Sequence, residues 1–62
     1  MKCSEALRIL TKDGWFIVSQ RGSHLKLRHP SKQGVIIFPN HGRKELSVSL
    51  QKRLFKAAGI EN

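Results

Sequence analysis

Cysteine occurs once, at Cys3, so no internal disulfide can brace this chain. No Cys/His spacing has the form of a zinc site, and the three histidines stand apart at His24, His29 and His41. Both points lead to the expectation of a reduced protein that holds no metal and no cofactor. Tyrosine is absent, and the single tryptophan, Trp15, sits in an apolar run. It is expected in the core and not as a platform for nucleobases. No apolar run approaches the ~20 residues of a membrane-spanning helix. The first residues, Met1-Lys2-Cys3-Ser4-Glu5, lack the apolar core of an export signal. A cytoplasmic protein without a membrane partner is expected. Acidic side chains are scarce, four against twelve Lys and Arg. No paired carboxylates of the glycosidase kind, no phosphate-cradling glycine loop and no Ser-His-Asp set can be drawn.

What is present is positive charge. The formal net charge is +8 in 62 residues. Such an excess favours polyanionic partners, with nucleic acid the first candidate. The length allows one small domain, residues 1–62, and no second core. A chain of this size buries only about 60% of the surface exposed when unfolded, so a partner covering part of it adds stability.

The order of elements follows from periodicity and punctuation. Cys3, Ala6, Leu7 and Leu10 fall on one helical stripe, with Ser4 as the expected cap and Glu5 favourable in the first turn. Gly14 suits the left-handed position that ends a helix. Trp15 to Gln20 reads as a strand whose buried phase is ambiguous, because Trp15, Phe16, Ile17 and Val18 are all apolar. Gln20-Arg21-Gly22-Ser23 reads as a hairpin connection. His24 to His29 reads as a second strand, with Leu25 and Leu27 turned to the core. His29 to Gly34 is a loop, and Val35 to Phe38 a third strand stopped by Pro39. After a polar connection from Asn40 to Leu46, a helix starting near Ser47 or Ser49 presents Leu50, Leu54, Ala57 and Ala58, with Phe55 beside them. Gly59-Ile60 has the form of a Schellman ending. The fold class is therefore α+β, in the order α-β-β-β-α, with a three-stranded antiparallel sheet and both helices on one face. That pattern, with a basic surface, is that of the double-stranded-RNA-binding domain.

The free sheet face then carries His24, Lys26 and Arg28. Lys26 and Arg28 lie about 7 and 13 Å from His24 along the strand, at ~3.3 Å per residue. An imidazole near a phosphodiester can move protons, and a lysine that close can share its phosphate. Gly22 allows close approach of a sugar-phosphate backbone, and Ser23 offers a hydroxyl or amide to a phosphoryl oxygen. Arg21 extends the cationic surface, and His41 lies in a loop with Arg43 and Lys44. Each residue also has an ordinary role. Taken alone, His24 is a solvated strand histidine, Gly22 and Ser23 are turn formers, and His41 is a loop residue. His29 beside Pro30 reads as structural, and Lys52, Arg53 and Lys56 as the solvated side of the last helix.

Gly14-Trp15, Gly22-Ser23-His24, His29-Pro30, a third strand ending at Pro39 and the terminal Ala58-Gly59-Ile60 together resemble the HicA toxins of bacterial HicAB toxin–antitoxin modules. The resemblance covers nearly the whole chain. It implies a double-stranded-RNA-binding-like fold and an mRNA endoribonuclease that arrests translation. It implies a HicB-like antitoxin masking the site, and operator DNA contacted only through that antitoxin. It also implies that His24 is catalytic; on the reading of the residues themselves, Arg21, Gly22, Ser23, Lys26, Arg28 and His41 are expected to contact the RNA. One departure is visible: many relatives enter the last helix with a Gly-Thr pair, where this chain has Ser49-Leu50. Without the resemblance, a non-catalytic RNA-binding module stands as the alternative, and a small domain for an acidic protein partner as a third.

Overall fold

The computed structural model describes residues 1–60. Helix α1 spans Cys3–Asp13, strands β1, β2 and β3 span Phe16–Arg21, His24–Arg28 and Ile36–Pro39, and helix α2 spans Val48–Ala57. The sheet is antiparallel in the order β1-β2-β3. One apolar cluster joins Cys3, Ala6 and Leu10 of α1 to Leu25, Leu27, Ile36 and Phe38 of the sheet and Leu54 and Phe55 of α2. Both helices thus cover the same sheet face, and the opposite face is open, as expected. Burying each large side chain of this set contributes roughly 1.5–3 kcal/mol.

Helix α1 does not begin as expected. Its N-cap is Lys2, with no side-chain cap, and Ser4 lies inside the helix. The first amides are satisfied from elsewhere in the chain. Cys3 N–H donates to the Lys44 carbonyl and Ser4 N–H to the Gly42 carbonyl, each at 2.9 Å. A bridge between Lys2 and Glu45 continues this pairing, so the 40–46 connection is tied to the N-terminus. Helix α2 follows the local rule, because Ser47 Oγ accepts from Leu50 N–H at 3.3 Å.

The two helices end alike. Trp15 N–H donates to Leu10 O and Gly14 N–H to Thr11 O; Ile60 N–H donates to Phe55 O and Gly59 N–H to Lys56 O. These are paired Schellman motifs, with Gly14 at φ 117° and Gly59 at φ 70°. Ala57 faces solvent, while Ala58 completes the buried stripe.

A single loop fastens both endings. Ser31 N–H donates to His29 Nδ1 at 3.1 Å, which leaves Nε2–H to donate to the Asp13 carbonyl at 2.8 Å. Lys32 Nζ donates to Asp13 Oδ2 at 2.6 Å and to the Ala58 carbonyl at 2.9 Å. Cationic and N–H groups thus meet the negative ends of both helix dipoles. His29 also packs edge-on against Trp15, with ring centroids 5.3 Å apart.

The strands shift slightly from their expected bounds. Trp15 is buried but precedes β1, His29 falls beyond β2, and Pro39 is the last residue of β3 and not its stop. The ambiguous phase of β1 has a simple resolution. All six of its residues are exposed, because β1 is an edge strand beyond the cover of the helices.

Candidate functional site

The hairpin between β1 and β2 sets the geometry of the open face. Gly22 has φ 60° and Ser23 has a negative φ, the pattern of a type II′ turn with two loop residues. Its twist matches that of paired strands, so the register follows at once. Arg21 opposes His24, Gln20 opposes Leu25, and Ser19 opposes Lys26. On the other side of β2, His24 opposes Pro39 and Lys26 opposes Ile37. Leu25 and Leu27 point to the core, so His24, Lys26 and Arg28 point outward.

Two rows therefore cross the open face. One contains Arg21, His24 and Pro39; the next contains Ser19, Lys26 and Ile37. Cβ atoms of direct cross-strand partners lie about 4.5–5.5 Å apart. An open cleft of about 450 Å³ is lined by Ser19, Arg21, His24, Lys26 and Ile37. That volume falls within the range of small-molecule sites, roughly 300–1,000 Å³.

The expected site residues divide into two groups. Arg21, His24 and Lys26 line the cleft together. Gly22 and Ser23 form the turn at its end and do not line it. Arg28 is exposed at the far end of β2, opposite Phe16, with a register shift between Ile17 and Ser19 separating that pair from the cleft. His41 is exposed in the loop after β3. That loop starts beside the turn, because Asn40 N–H donates to the Ser23 carbonyl at 2.7 Å.

Ser19 and Ile37 were not singled out in the sequence. Hairpin arithmetic carries the signal for Ser19: a two-residue loop at 22–23 forces 19 onto the face of 26. Ile37 follows from alternation once Ile36 and Phe38 are placed inside.

The electrostatics of the face are one-sided. Of the described carboxylates, Asp13 pairs with Lys32, Glu45 lies 3.3 Å from the Met1 amino group, and Glu5 is in the first turn of α1. None lines the cleft. Among the described residues, Arg21, Lys26 and Arg28 have no ion-pair partner. A cleft with unneutralised cations and one exposed imidazole can bind a phosphodiester and exchange a proton with it.

The other histidine of the sheet region cannot share this work. The His29 side chain is 7% exposed, and both ring nitrogens are engaged in holding the end of α1 and the 29–31 loop. An added Cβ at Gly14 would come within 2.6 Å of His29 Nε2, so glycine there serves this packing as well as the turn.

Asp13 has its carboxyl held below the usual carboxylate range. The main cause is the Lys32 hydrogen bond, opposed by partial desolvation and aided by the charge of Lys32. The Trp15 indole N–H adds a minor contribution, although it is buried and stops short of a full hydrogen bond to any acceptor among the described residues.

No cluster of three or more His, Cys, Asp or Glu is found among the described residues. No described helix is long and apolar enough to cross a membrane.

The family model of the HicA toxin of bacterial toxin–antitoxin systems matches residues 3–60. The chain is also 37% identical to a protein of Pseudomonas fluorescens (strain Pf0-1), across the full length of both, which bears the name probable mRNA interferase HicA.

Proposed function

This chain belongs to the HicA toxin family, and from that premise we propose that it is the mRNA-cleaving toxin of a toxin–antitoxin pair, with His24 as its catalytic residue. The observation that carries the residue assignment is the direct pairing of Arg21 with His24 in a cleft that also holds Lys26. A scissile phosphate seated there meets a guanidinium, an ammonium and an imidazole on adjacent positions of one rigid sheet.

The reaction is attack of a ribose 2′-oxygen on its own 3′-phosphorus. The O2′–P bond forms and the P–O5′ bond breaks. The 2′-OH proton leaves with a base, and the departing 5′-oxygen takes up a proton. His24 performs one of these transfers, worth about 10²–10⁴-fold. Arg21 and Lys26 stabilise the extra negative charge on the phosphorane. Arg21 suits this role because its planar fork can meet two phosphoryl oxygens at once. Water, Ser23 or His41 serves the second transfer; His29 is committed to the end of α1. The products are a 2′,3′-cyclic phosphate and a 5′-hydroxyl, so DNA is not a substrate. The route uses no metal.

Gly22 and Ser23 position His24 through the turn, and Arg28 and His41 extend the cationic track that receives the rest of the RNA. The partner is a HicB-like antitoxin that masks His24, and operator DNA is reached only through it. An acidic antitoxin surface fits a face that carries unneutralised cations. The site of action is the cytoplasm.

The test is cleavage of an oligoribonucleotide in the presence of a chelator. Fragments ending in 2′,3′-cyclic phosphate, with no cut where the scissile 2′-OH is replaced by hydrogen, are expected. Salt-sensitive binding without any cleavage would instead identify a non-catalytic RNA-binding module.

A further inference from the structure

Ile37 is an apolar residue in a cationic cleft. It is the large apolar residue lining the cleft, and it is 55% exposed. Its neighbours on β3, Ile36 and Phe38, are buried at 3% and 0% exposed. The core therefore has no claim on Ile37, which points to the side of His24. It directly opposes Lys26 and lies one row away from His24, on the diagonal. Such diagonal neighbours are about 7–8 Å apart, within reach of groups bridging the two. Its β-branched side chain is stiff on a strand and offers a fixed apolar surface.

We propose that Ile37 is the seat for a nucleobase flanking the scissile phosphate. This inference rests on reading the cleft as an RNA site. RNA is an alternation of charged phosphates and flat apolar faces, and the cleft shows the same alternation across one strand pairing. Lys26 takes the phosphate, and Ile37, opposite it, takes the adjoining base by its face. Apolar side chains commonly hold unstacked bases in this manner. Contact is with the base face and not its hydrogen-bonding edge. The seat therefore demands an unpaired base, and it tolerates base identity. Ile37 thus selects single-stranded segments, and it touches substrate without taking part in proton transfer.

The experiment uses a five-nucleotide 2′-O-methyl RNA and its fully abasic counterpart, which carries the same phosphates. Neither can be cleaved, so binding reports on Ile37 independently of catalysis. Affinities are measured by fluorescence anisotropy for the full chain and for Ile37→Ala. The full chain should bind the base-bearing strand about fivefold more tightly than the abasic one, the lower limit of what a base gains on an aromatic ring, because the Ile37 surface is aliphatic. Ile37→Ala should lose most of that preference and keep its affinity for the abasic strand. Equal preference in both proteins overturns the proposal, as does unchanged RNA binding by an Ile37→Ala variant that has lost affinity for its antitoxin. Cleavage of unmodified RNA is scored separately. Its absence counts against the nuclease reading, while a base preference that depends on Ile37 would still stand.

Discussion

Arg21 and His24 face each other directly across the first hairpin, as the pair that closes the two-residue turn. The turn fixes this relation more firmly than any side-chain contact does. A hairpin of this length has one register, and that register puts a guanidinium beside the imidazole on the open face. Lys26 follows two residues later on the same face, opposite Ser19.

The first prediction concerns Arg21. Arg21→Ala should lower kcat/KM for RNA cleavage by about 10²-fold, the scale of losing one oxyanion donor. Arg21→Lys should recover only part of the loss, because an ammonium cannot engage two phosphoryl oxygens in a fork. Steady-state kinetics on a short oligoribonucleotide measure both. Thermal unfolding should hardly change, since Arg21 is exposed and has no ion-pair partner among the described residues.

The turn itself yields a second prediction. Gly22 has φ 60°, and an added Cβ would meet nothing within 4 Å. Gly22→Ala should therefore destabilise the fold by about 1–3 kcal/mol through backbone conformation alone. A synthetic chain with D-alanine at position 22 should recover that loss, because a D-residue favours positive φ. Denaturant midpoints of the three chains provide the comparison. Equal midpoints for glycine and L-alanine would mean that the turn does not hold Gly22 in the left-handed region.

A third prediction concerns acid stability. Asp13 has its pKa lowered in the folded protein, chiefly by the Lys32 hydrogen bond. The unfolded chain then binds the proton more readily than the folded one. Stability from this group is fully present above the ordinary carboxylate pKa and is lost as pH falls through the lower folded value. Melting temperature should drop on acidification over that window. Asp13→Asn should show a lower melting temperature at neutral pH and a flatter acid limb. Parallel acid limbs in the two proteins would remove Asp13 from the account.

Much of this was legible in the sequence because local signals agreed with the fold. Leu25 and Leu27 alternate with His24, Lys26 and Arg28, and the sheet keeps that alternation. Gly14 and Gly59 mark both helix ends where they were expected. What escaped was set by distant partners. Ser4 does not cap α1, because carbonyls of Gly42 and Lys44 satisfy the first amides. No local pattern carries that information. The four apolar residues from Trp15 to Val18 gave no phase because their environments differ by position. Trp15 closes the Schellman ending of α1 and is buried, while β1 runs along an uncovered edge. At the cleft, the outward direction of His24 and Lys26 follows from alternation, whereas Arg21, expected in the hairpin connection, is marked by its charge alone and reaches the cleft as the last residue of β1. Ser19 needed the register, and the separation of Arg28 from the cleft needed the shift between Ile17 and Ser19.

The central claim is that His24 moves a proton in RNA cleavage. His24 is exposed, and no side-chain hydrogen bond holds it among the described residues. Its removal should leave the fold intact, which separates catalysis from stability. The decisive measurement is the cleavage rate of one oligoribonucleotide by the intact protein and by His24→Ala, with melting temperature and RNA affinity recorded for both. The account predicts closely similar melting and affinity, with a rate lowered by about 10²-fold or more. A folded His24→Ala protein that cleaves at the rate of the intact chain would contradict it.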